Sequence, residues 1–261
     1  MKIALSIVGA TGRIGKRVLS LALEDEAFNI VGGFARKDSG CIGQDLGSLV
    51  SKPPIGAFLH SRLDAAIETA DIAIDFSSHS LLSETLAAAC RLKKPLVLGS
   101  TGHSEKGKEL IMQAAWEIPI LFSPNFSLGI ALCLETVALL AKNLYGSAFI
   151  DIIETHHIHK KDAPSGTAIA LAKAAGNGKV VEGKSEQPRR KEEIIIHTIR
   201  SGEVIGEHVV IFECGSERIE LKHQAYSRDA FAQGALKAAK FLVRKQPGLY
   251  SIKDLLMASF T

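Results

Sequence analysis

The sequence predicts an α/β protein with two domains, the first built on a parallel sheet and the second, smaller and α+β, on a mixed sheet. In the first half, β-rich runs such as "KIALSIVGA" alternate with helical patterns such as "RIGKRVLSLALEDE", which indicates βαβ units. After Asn125 this alternation ends, and the runs "EIIIHTIRSG", "EHVVIFECG" and "ERIELKHQA" follow one another without helices between them. Closely spaced strands of this kind are typical of an antiparallel or mixed sheet.

The individual elements follow from local patterns. Strands are predicted for "KIALSIVGA", "FNIVGGFAR", "ADIAIDFSS", "KPLVLGSTG", "IPILFSPNF" and "FIDIIETHH", before the three runs named above. Helices are predicted for "RIGKRVLSLALEDE", "SLLSETLAAACRLK", "SEKGKELIMQAAWE", a long apolar stretch from about Leu128 to Leu144, a short segment after "HHIHKKDAPSGT", and "DAFAQGALKAAKFLVRK". We expect the last helix and the tail to return to the first domain. The expected domains are therefore residues 1–126 with 228–261, and residues 127–227.

Composition excludes several classes of protein. A net charge of +3 is too weak to suggest a nucleic-acid partner. The apolar stretches fall short of the roughly 18 to 20 residues that span a bilayer, and the N-terminal run is interpreted as a first strand rather than a signal peptide. The four scattered cysteines indicate reduced thiols in a cytoplasmic protein, with no zinc or redox spacing among them: Cys41, Cys90, Cys133 and Cys214.

A glycine loop follows the first predicted strand and opens the first helix. In "GATGRIG" Gly9 permits a tight turn, Gly12 lets the backbone approach a pyrophosphate, and Gly15 lets helix and strand pack closely. The free N–H groups of the helix N-terminus then face the phosphates. The loop therefore predicts a Rossmann-type dinucleotide site, the alternative being a glycine turn that binds nothing.

The end of the second strand bears on the choice of cofactor. An NAD site usually has an acidic residue about 20 residues after the glycines, but here Ala35 stands there, followed by Arg36 and Lys37. Two cations and no carboxylate favour a 2′-phosphate, and hence NADPH over NADH. Asp38 lies close by, and stacking of Arg36 on adenine without discrimination is the alternative.

Two further loops, "GSTGH" and "SPNFS", also follow predicted parallel strands. Open α/β sheets bind ligands at the carboxyl ends of their strands. Each loop taken alone is consistent with an ordinary turn. Together with the glycine loop they line one edge of the sheet, which favours contact with a nicotinamide.

The stretch "ETHHIHKKDAPSGTA", from Glu154 to Ala168, concentrates histidine and lysine before a predicted helix. A zinc site would require His156, His157 and His159 to converge, although neighbours in a strand point to opposite faces. A purely structural role is a second interpretation. The third is a site for an anionic substrate that also needs a proton, because cations attract carboxylates, histidine titrates near neutrality, and "PSGT" presents a helix N-terminus to an anion. This third interpretation explains the whole stretch.

These motifs together resemble the dihydrodipicolinate reductase family along essentially the whole chain. The resemblance rests on "GATGRIG", "GSTG", "NFS" and above all "E-x-H-H-x-H-K-x-D-A-P-S-G-T-A". It implies a Rossmann domain that binds NADPH or NADH, a mixed-sheet domain that binds a small cyclic dicarboxylate and forms a homotetramer, and hinges near 125–127 and 225–228. The implied reaction is the reduction that gives tetrahydrodipicolinate in diaminopimelate and lysine biosynthesis.

The resemblance also implies roles for individual residues. His156 matches the family's proton donor or acceptor and Lys160 its second acid or cationic substrate holder. The implied substrate contacts are His157, Ser165, Gly166 and Thr167. The implied cofactor contacts are Gly9, Ala10, Thr11, Gly12, Arg13, Ile14, Arg36, Gly99, Ser100, Thr101, Ser123, Pro124, Asn125 and Phe126. No metal is expected.

This chain departs from the family pattern at two cofactor positions. Ser100 stands where threonine is usual, and Ala35 replaces an acidic residue of many members. Two rival functions are a non-enzymatic NADP(H) sensor and a reductase of aldehydes or sugars. The sensor has no need of "HHIHK" before an anion-binding helix, and the Glu-Lys-Pro motif of the sugar-type enzymes is not found in this sequence.

Overall fold

The computed structural model describes residues 1–144, 146–176, 178–183 and 189–258. It divides the chain into two compact units, Met1–Ser127 with Asp229–Thr261 (unit 1) and Leu128–Arg228 (unit 2). The chain passes from one unit to the other after Ser127 and returns after Arg228. None of the described helices combines the length and the apolar character needed to cross a membrane.

The strands and helices are numbered in chain order. The strands are β1 (Ile3–Val8), β2 (Phe28–Phe34), β3 (Leu59–His60), β4 (Ile72–Asp75), β5 (Leu96–Leu98), β6 (Pro119–Phe122), β7 (Phe149–His156), β8 (Lys179–Glu182), β9 (Glu193–Arg200), β10 (Gly206–Glu213), β11 (Arg218–Ala225) and β12 (Gly248–Tyr250). The α-helices are α1 (Arg13–Glu24), α2 (Leu63–Ile67), α3 (Leu82–Arg91), α4 (Glu105–Ala114), α5 (Leu128–Leu144), α6 (Gly166–Ala174), α7 (Asp229–Leu242) and α8 (Ile252–Ala258).

Unit 1 is built on a seven-stranded sheet in the order β12-β6-β5-β4-β1-β2-β3. Every pairing in it is parallel. The central strands β4 and β5 are buried throughout, and they are apolar apart from Asp75 at the end of β4, because helices cover both faces of a parallel sheet. The order reverses between β1 and β4, where open α/β sheets bind their ligands.

Unit 2 is built on a five-stranded mixed sheet in the order β11-β10-β7-β9-β8. β10 pairs antiparallel with β7 and β11, whereas β9 pairs parallel with β7 and β8. One face carries a core that includes Ile152, Ile196 and Phe212, and side chains of α5 and α6 pack into the same core. The parallel sheet and the mixed sheet confirm the predicted fold class.

The sequence did not predict β3, β8, β12, α2 or α8. β3 and β12 are the two edges of the sheet in unit 1, and β8 is an edge of the sheet in unit 2. Strands of two to four residues carry too little periodicity to be recognised, and they become strands only through pairing with a neighbour. In this way β12 pairs with β6 and joins the C-terminal segment to unit 1.

Candidate functional site

In unit 1 the glycine loop joins β1 directly to α1. Gly9 has a φ of +81°, which favours glycine, and the N–H of Gly12 donates to the carbonyl of Gly9 at 2.9 Å. A Cβ on Gly15 would lie 2.1 Å from that same carbonyl oxygen, so only glycine lets the helix approach this closely. Gly12 caps α1 without a side-chain hydrogen bond. The first-turn N–H groups of α1 are thus available to an anion such as a pyrophosphate.

The other predicted cofactor residues of unit 1 also follow strands of the parallel sheet. Arg36 comes after β2, Gly99–Thr101 after β5 and Ser123–Phe126 after β6. Because parallel strands end at the same edge of a sheet, these loops share one edge with the glycine loop. This is the arrangement that a dinucleotide site requires, and the predicted residues are brought together there.

Several of these residues bury their side chains. Ala10 is fully buried, Ser100 is 4% exposed, and Phe126 is 1% exposed and lies edge-on to Phe76 with ring centroids 5.5 Å apart. Any contact of Ala10 or Phe126 with a cofactor would therefore use the backbone. Arg13, Arg36, Thr101 and Pro124 are exposed instead.

Arg36 has a largely free side chain. It is 67% exposed, and the Asp38 carboxylate lies 3.9 Å away. Lys37 beside it is also exposed, whereas Ala35 is buried. Two cations thus stand at the position after β2 that meets the ribose in dinucleotide sites.

The loop after β4 belongs to the same edge and was not assigned in the sequence. A Cβ on Gly9 would lie 2.9 Å from Cα of Ser77, so this loop packs directly on the glycine loop. Asp75 accepts the N–H of Ser77 at 2.6 Å. Burial raises the pKa of Asp75 to about 6, against the opposing hydrogen bonds from Ser77. The sequence did carry a signal for this loop, because the residues after Asp75 in "AIDFSS" follow a buried strand, as the other loops of this edge do.

In unit 2 His156 is the last residue of β7 and is 8% exposed. Its Nδ1 lies within hydrogen-bond distance of the Glu154 carboxylate. Glu154 is completely buried, and its other oxygen accepts from Nη1 of Arg200 at 3.0 Å and from the N–H of Ser165 at 3.2 Å. His156 is therefore held by a buried carboxylate that is itself fully hydrogen-bonded.

The segment after β7 leads into α6. Ser165 caps this helix, since its Oγ accepts the N–H of Ala168 at 3.1 Å. Gly166 is exposed, and no other part of the described structure, beyond its chain neighbours and its own helix, lies within 4 Å of a Cβ placed on it, while Thr167 is half-buried. The predicted residues Ser165, Gly166 and Thr167 thus form the first positions of a capped helix, which is a favourable place for an anion.

Lys160 and His157 lie between the strand and the helix. Nζ of Lys160 lies 2.8 Å from the Asp162 carboxylate, with 22% of the Lys160 side chain exposed. Nδ1 of His157 is buried without a hydrogen-bond partner among the described residues. His159 is 73% exposed.

His208 on β10 completes the cluster and was not predicted. Its ring packs edge-on against His156 with centroids 5.2 Å apart, and its Nε2 lies 3.2 Å from Oγ of Ser165. Because that oxygen accepts from Ala168, its hydroxyl proton is free for His208. Burial, followed by the neighbouring His156, lowers the pKa of His208 to about 4. A histidine in an alternating strand gives no signal of such a role.

The charges of this cluster act on one another. Burial would raise the pKa of Glu154, but the hydrogen bond from Arg200 and the charges of His156 and Arg200 outweigh burial and lower it. Burial lowers the pKa of His156, and the nearby Glu154 carboxylate offsets this only in part. The site therefore holds an ionised carboxylate beside a histidine whose pKa lies below its usual value.

The zinc interpretation of the three sequential histidines is not supported by their placement. Within the described ranges, the group that could offer three ligand atoms within 4.8 Å of one another is Glu154, His156 and His208, and neither His157 nor His159 belongs to it. In that group Glu154 already accepts from Arg200 and Ser165.

Comparison with known proteins gives full-length matches. The family model described as "Dihydrodipicolinate reductase, N-terminus" matches residues 1–126, and that described as "Dihydrodipicolinate reductase, C-terminus" matches residues 129–256. The 4-hydroxy-tetrahydrodipicolinate reductase of Syntrophus aciditrophicus (strain SB) is 37% identical over 259 residues, which cover 96% of this chain and 97% of that one. The enzyme of the same name from Methanopyrus kandleri is 40% identical over 265 residues, covering 97% and 96%.

One solved structure is similar along its whole length. It is described as a dipicolinate-bound dihydrodipicolinate reductase from Paenisporosarcina sp. TG-14. The TM-score is 0.78 at 24% identity, and the match covers 97% of this chain and 99% of the other. At this identity the similarity demonstrates a shared fold.

Proposed function

The chain belongs to the dihydrodipicolinate reductase family, and from this we propose that it is a 4-hydroxy-tetrahydrodipicolinate reductase of diaminopimelate and lysine biosynthesis. The proposed reaction converts 4-hydroxy-tetrahydrodipicolinate, NAD(P)H and a proton into tetrahydrodipicolinate, NAD(P)⁺ and water. The proposal is carried by the observation that one segment of unit 2 places a buried histidine, His156, beside the Glu154 carboxylate and ahead of a capped helix N-terminus, which suits a carboxylate.

Unit 1 is proposed to bind the cofactor, which supplies the hydride. The close approach of Gly15 to Gly9 and the N-terminus of α1, where no side chain accepts the first N–H groups, fit a pyrophosphate. The loops after β5 and β6 would accommodate the nicotinamide end. Arg36 and Lys37 would neutralise a 2′-phosphate, and Ala35 offers no carboxylate to a 2′-hydroxyl, so NADPH is the preferred cofactor.

Unit 2 is proposed to bind the substrate through its two carboxylates. Lys160 and His157 supply cationic or hydrogen-bonding groups, and the helix start at Ser165–Thr167 supplies backbone N–H groups after Ser165, whose own N–H donates to Glu154, and the Thr167 hydroxyl. The related structure from Paenisporosarcina is described as bound to dipicolinate, a planar dicarboxylate of the same class. A small cyclic dicarboxylate fits the charge of this segment better than an aldehyde or a neutral sugar.

His156 is the proposed proton donor. When a hydride adds to the conjugated imine of the dehydrated ring, the electron pair that is displaced must take up a proton. The imidazole of His156 supplies it directly or through a water molecule that it orients, and Lys160 supports this step as a cation. Hydride transfer requires the ligands of the two units to meet, for which hinges near 125–127 and 225–228 are proposed.

We further propose that the protein acts in the cytoplasm as a homotetramer assembled through unit 2. The four cysteines are free thiols, which fits a reducing compartment. The sheet face opposite the helices carries a cavity of about 340 Å³ lined by residues that include Phe149, Ile153 and Ile211. Phe149 and Ile153 are half-buried and Ile211 is buried, and the polar or charged side chains Asp151, Arg189, His197, Glu213 and Arg218 share the lining. A second copy is proposed to contact this mixed apolar and charged surface. Sedimentation equilibrium measures the mass, and a monomer at micromolar concentration contradicts the assembly.

The activity is tested by following NADPH oxidation at about 340 nm, with substrate generated in situ from pyruvate and aspartate semialdehyde by the preceding synthase. Loss of absorbance that depends on the synthase product is expected, and it should be faster with NADPH than with NADH. His156→Ala should lower turnover about 100- to 10,000-fold, as is typical for the loss of a general acid. A folded protein that oxidises neither cofactor would overturn the proposal.

A further inference from the structure

We infer that Glu154 is a positioning residue for this reaction: its carboxylate accepts the Nδ1–H of His156 and so makes Nε2 the atom that exchanges the proton. The same carboxylate also accepts hydrogen bonds that hold in place the segment proposed to bind the substrate. The inference rests on the proposed function, because it assigns a task to a residue beside the proposed proton donor. It concerns a buried group to which neither the motif nor the family comparison assigns a role.

The two oxygens of Glu154 have different partners. Oε2 faces Nδ1 of His156, whereas Oε1 accepts from Arg200 Nη1 at 3.0 Å and from the N–H of Ser165 at 3.2 Å. The Glu154 side chain is completely buried, so water does not compete for these positions. Each oxygen therefore imposes a direction on the group that donates to it.

An ionised carboxylate determines which nitrogen of the histidine carries the proton. Such a carboxylate only accepts hydrogen bonds, so Nδ1 of His156 must remain protonated whether the ring is neutral or charged. The proton that His156 exchanges is then the one on Nε2. Arg200 keeps Glu154 ionised, since its hydrogen bond and charge hold the pKa of that carboxyl low despite burial.

Arg200 extends the network to the substrate segment. While Nη1 donates to Glu154, Nη2 donates to the carbonyl of Asp162 at 2.6 Å. Ser165, which begins the proposed carboxylate site, donates its N–H to Glu154. One partly buried ion pair, between Arg200 and the buried Glu154, thus orients the proposed proton donor and sets the path of the segment proposed to hold the carboxylate.

Charged and titratable groups from three directions act on His156. Lys160 in the following segment and Arg200 on β9 disfavour its protonated form, and the neutral ring of His208 on β10 packs against it. Glu154 on its own strand favours the protonated form. Removal of the Glu154 charge should therefore move the pKa of His156 further down.

Glu154→Gln separates the orientation of His156 from the anchoring of the proposed substrate segment. The amide oxygen can still accept from Arg200 and Ser165, but the NH₂ group would replace Oε2 and cannot accept from Nδ1–H of His156. We expect kcat at pH 7.5 to fall about 10- to 100-fold, with KM for the substrate changed less than about threefold. The limb of the kcat profile that descends with rising pH should move to lower pH, because the proton donor loses its proton sooner.

The control variants distinguish loss of this hydrogen-bond network from loss of a negative charge and from misfolding. Glu217→Gln removes the same charge from the exposed turn between β10 and β11 and should leave kcat and its pH profile unchanged. Glu154→Ala removes both tasks and should raise KM as well as lower kcat. A kcat and a pH profile of Glu154→Gln equal to those of the wild type would overturn the inference, even with His156→Ala inactive.

A second measurement does not depend on activity. In protein labelled with ¹⁵N-histidine, long-range ¹H–¹⁵N spectra report which imidazole nitrogen is protonated, and the His156 signals are those absent from His156→Gln. At a pH where the ring is neutral, we expect Nδ1–H in the wild type and loss of that tautomer in Glu154→Gln. A neutral wild-type ring with its proton on Nε2 overturns the inference. Nδ1–H in a protein without reductase activity supports the positioning and refutes the proposed function.

Discussion

Gly206 on β10 lies against the imidazole of His156: a Cβ at Gly206 would be 3.1 Å from Nε2 and 3.5 Å from Cδ2 of that ring. The absence of a side chain at Gly206 thus leaves the space that the ring occupies. Nε2 is the nitrogen to which proton exchange is assigned. The position of this atom consequently depends on a glycine that lies 50 residues further along the sequence.

Gly206→Ala is expected to lower kcat about 10-fold, a fraction of what a general acid contributes, because the added methyl group displaces the ring by a few tenths of an ångström. KM for NADPH should not change, since Gly206 belongs to unit 2. Steady-state kinetics measures both, and circular dichroism verifies the fold. Gly206→Val should be more severe, and a kcat that is unaffected by both substitutions would show that the ring has room to spare.

Gly15→Ala is expected to destabilise unit 1 by about 1–3 kcal/mol, the cost of overpacking. The added Cβ meets a backbone oxygen at 2.1 Å, which no rotamer change relieves. NADPH binding should weaken as well, because α1 would move away from the loop. Urea unfolding and NADPH fluorescence measure the two effects. The exposed neighbour Lys16→Ala should change stability by less than about 0.5 kcal/mol; equal values for the two variants would contradict the packing argument.

His208→Gln is expected to reduce the loss of stability in acid. The folded-state pKa of His208, about 4, lies below the unfolded value of about 6.5, so between these values the unfolded chain binds a proton that the folded protein does not. This group's contribution is complete above pH 6.5 and falls as pH decreases toward 4, by at most about 1.4 kcal/mol per pH unit. His156, whose pKa is also lowered, keeps part of the slope in the variant.

The measurement is urea unfolding at several pH values between 7.5 and 4.5. The free energy of unfolding of the wild type should fall more steeply with decreasing pH than that of His208→Gln. Parallel curves would mean that His208 is not held neutral by its surroundings.

Arg36→Ala combined with Lys37→Ala is expected to raise KM for NADPH about 10-fold and KM for NADH less than about twofold. One order of magnitude corresponds to about 1.4 kcal/mol, a moderate value for exposed cations facing a phosphate. The exposed Lys106→Ala on α4 serves as the control for loss of a positive charge. Equal changes for both cofactors would show that these side chains contact a part common to NADPH and NADH.

Elements whose signals are local were predicted from the sequence. The passage from β1 through the glycine loop into α1 depends on a buried run, three glycines and a helical pattern within 24 residues. The long helix α5 and the start of α6 at "PSGT" are likewise properties of short segments. The same locality made the histidine segment recognisable, since its residues adjoin one another in the chain.

The partners that act on these residues are determined only by tertiary structure. Arg200 reaches Glu154 across 46 residues and His208 reaches Ser165 across 43, because the register of the mixed sheet sets β9 and β10 beside β7. A half-buried arginine, a histidine or a glycine in a strand gives no local sequence signal of the residue it will contact. The sequence by itself predicted the parallel and the mixed sheet, and it singled out the histidine segment as the candidate site. Strand pairing decided which ionised group, imidazole and glycine surround His156, since pairing register depends on the packing of the whole unit.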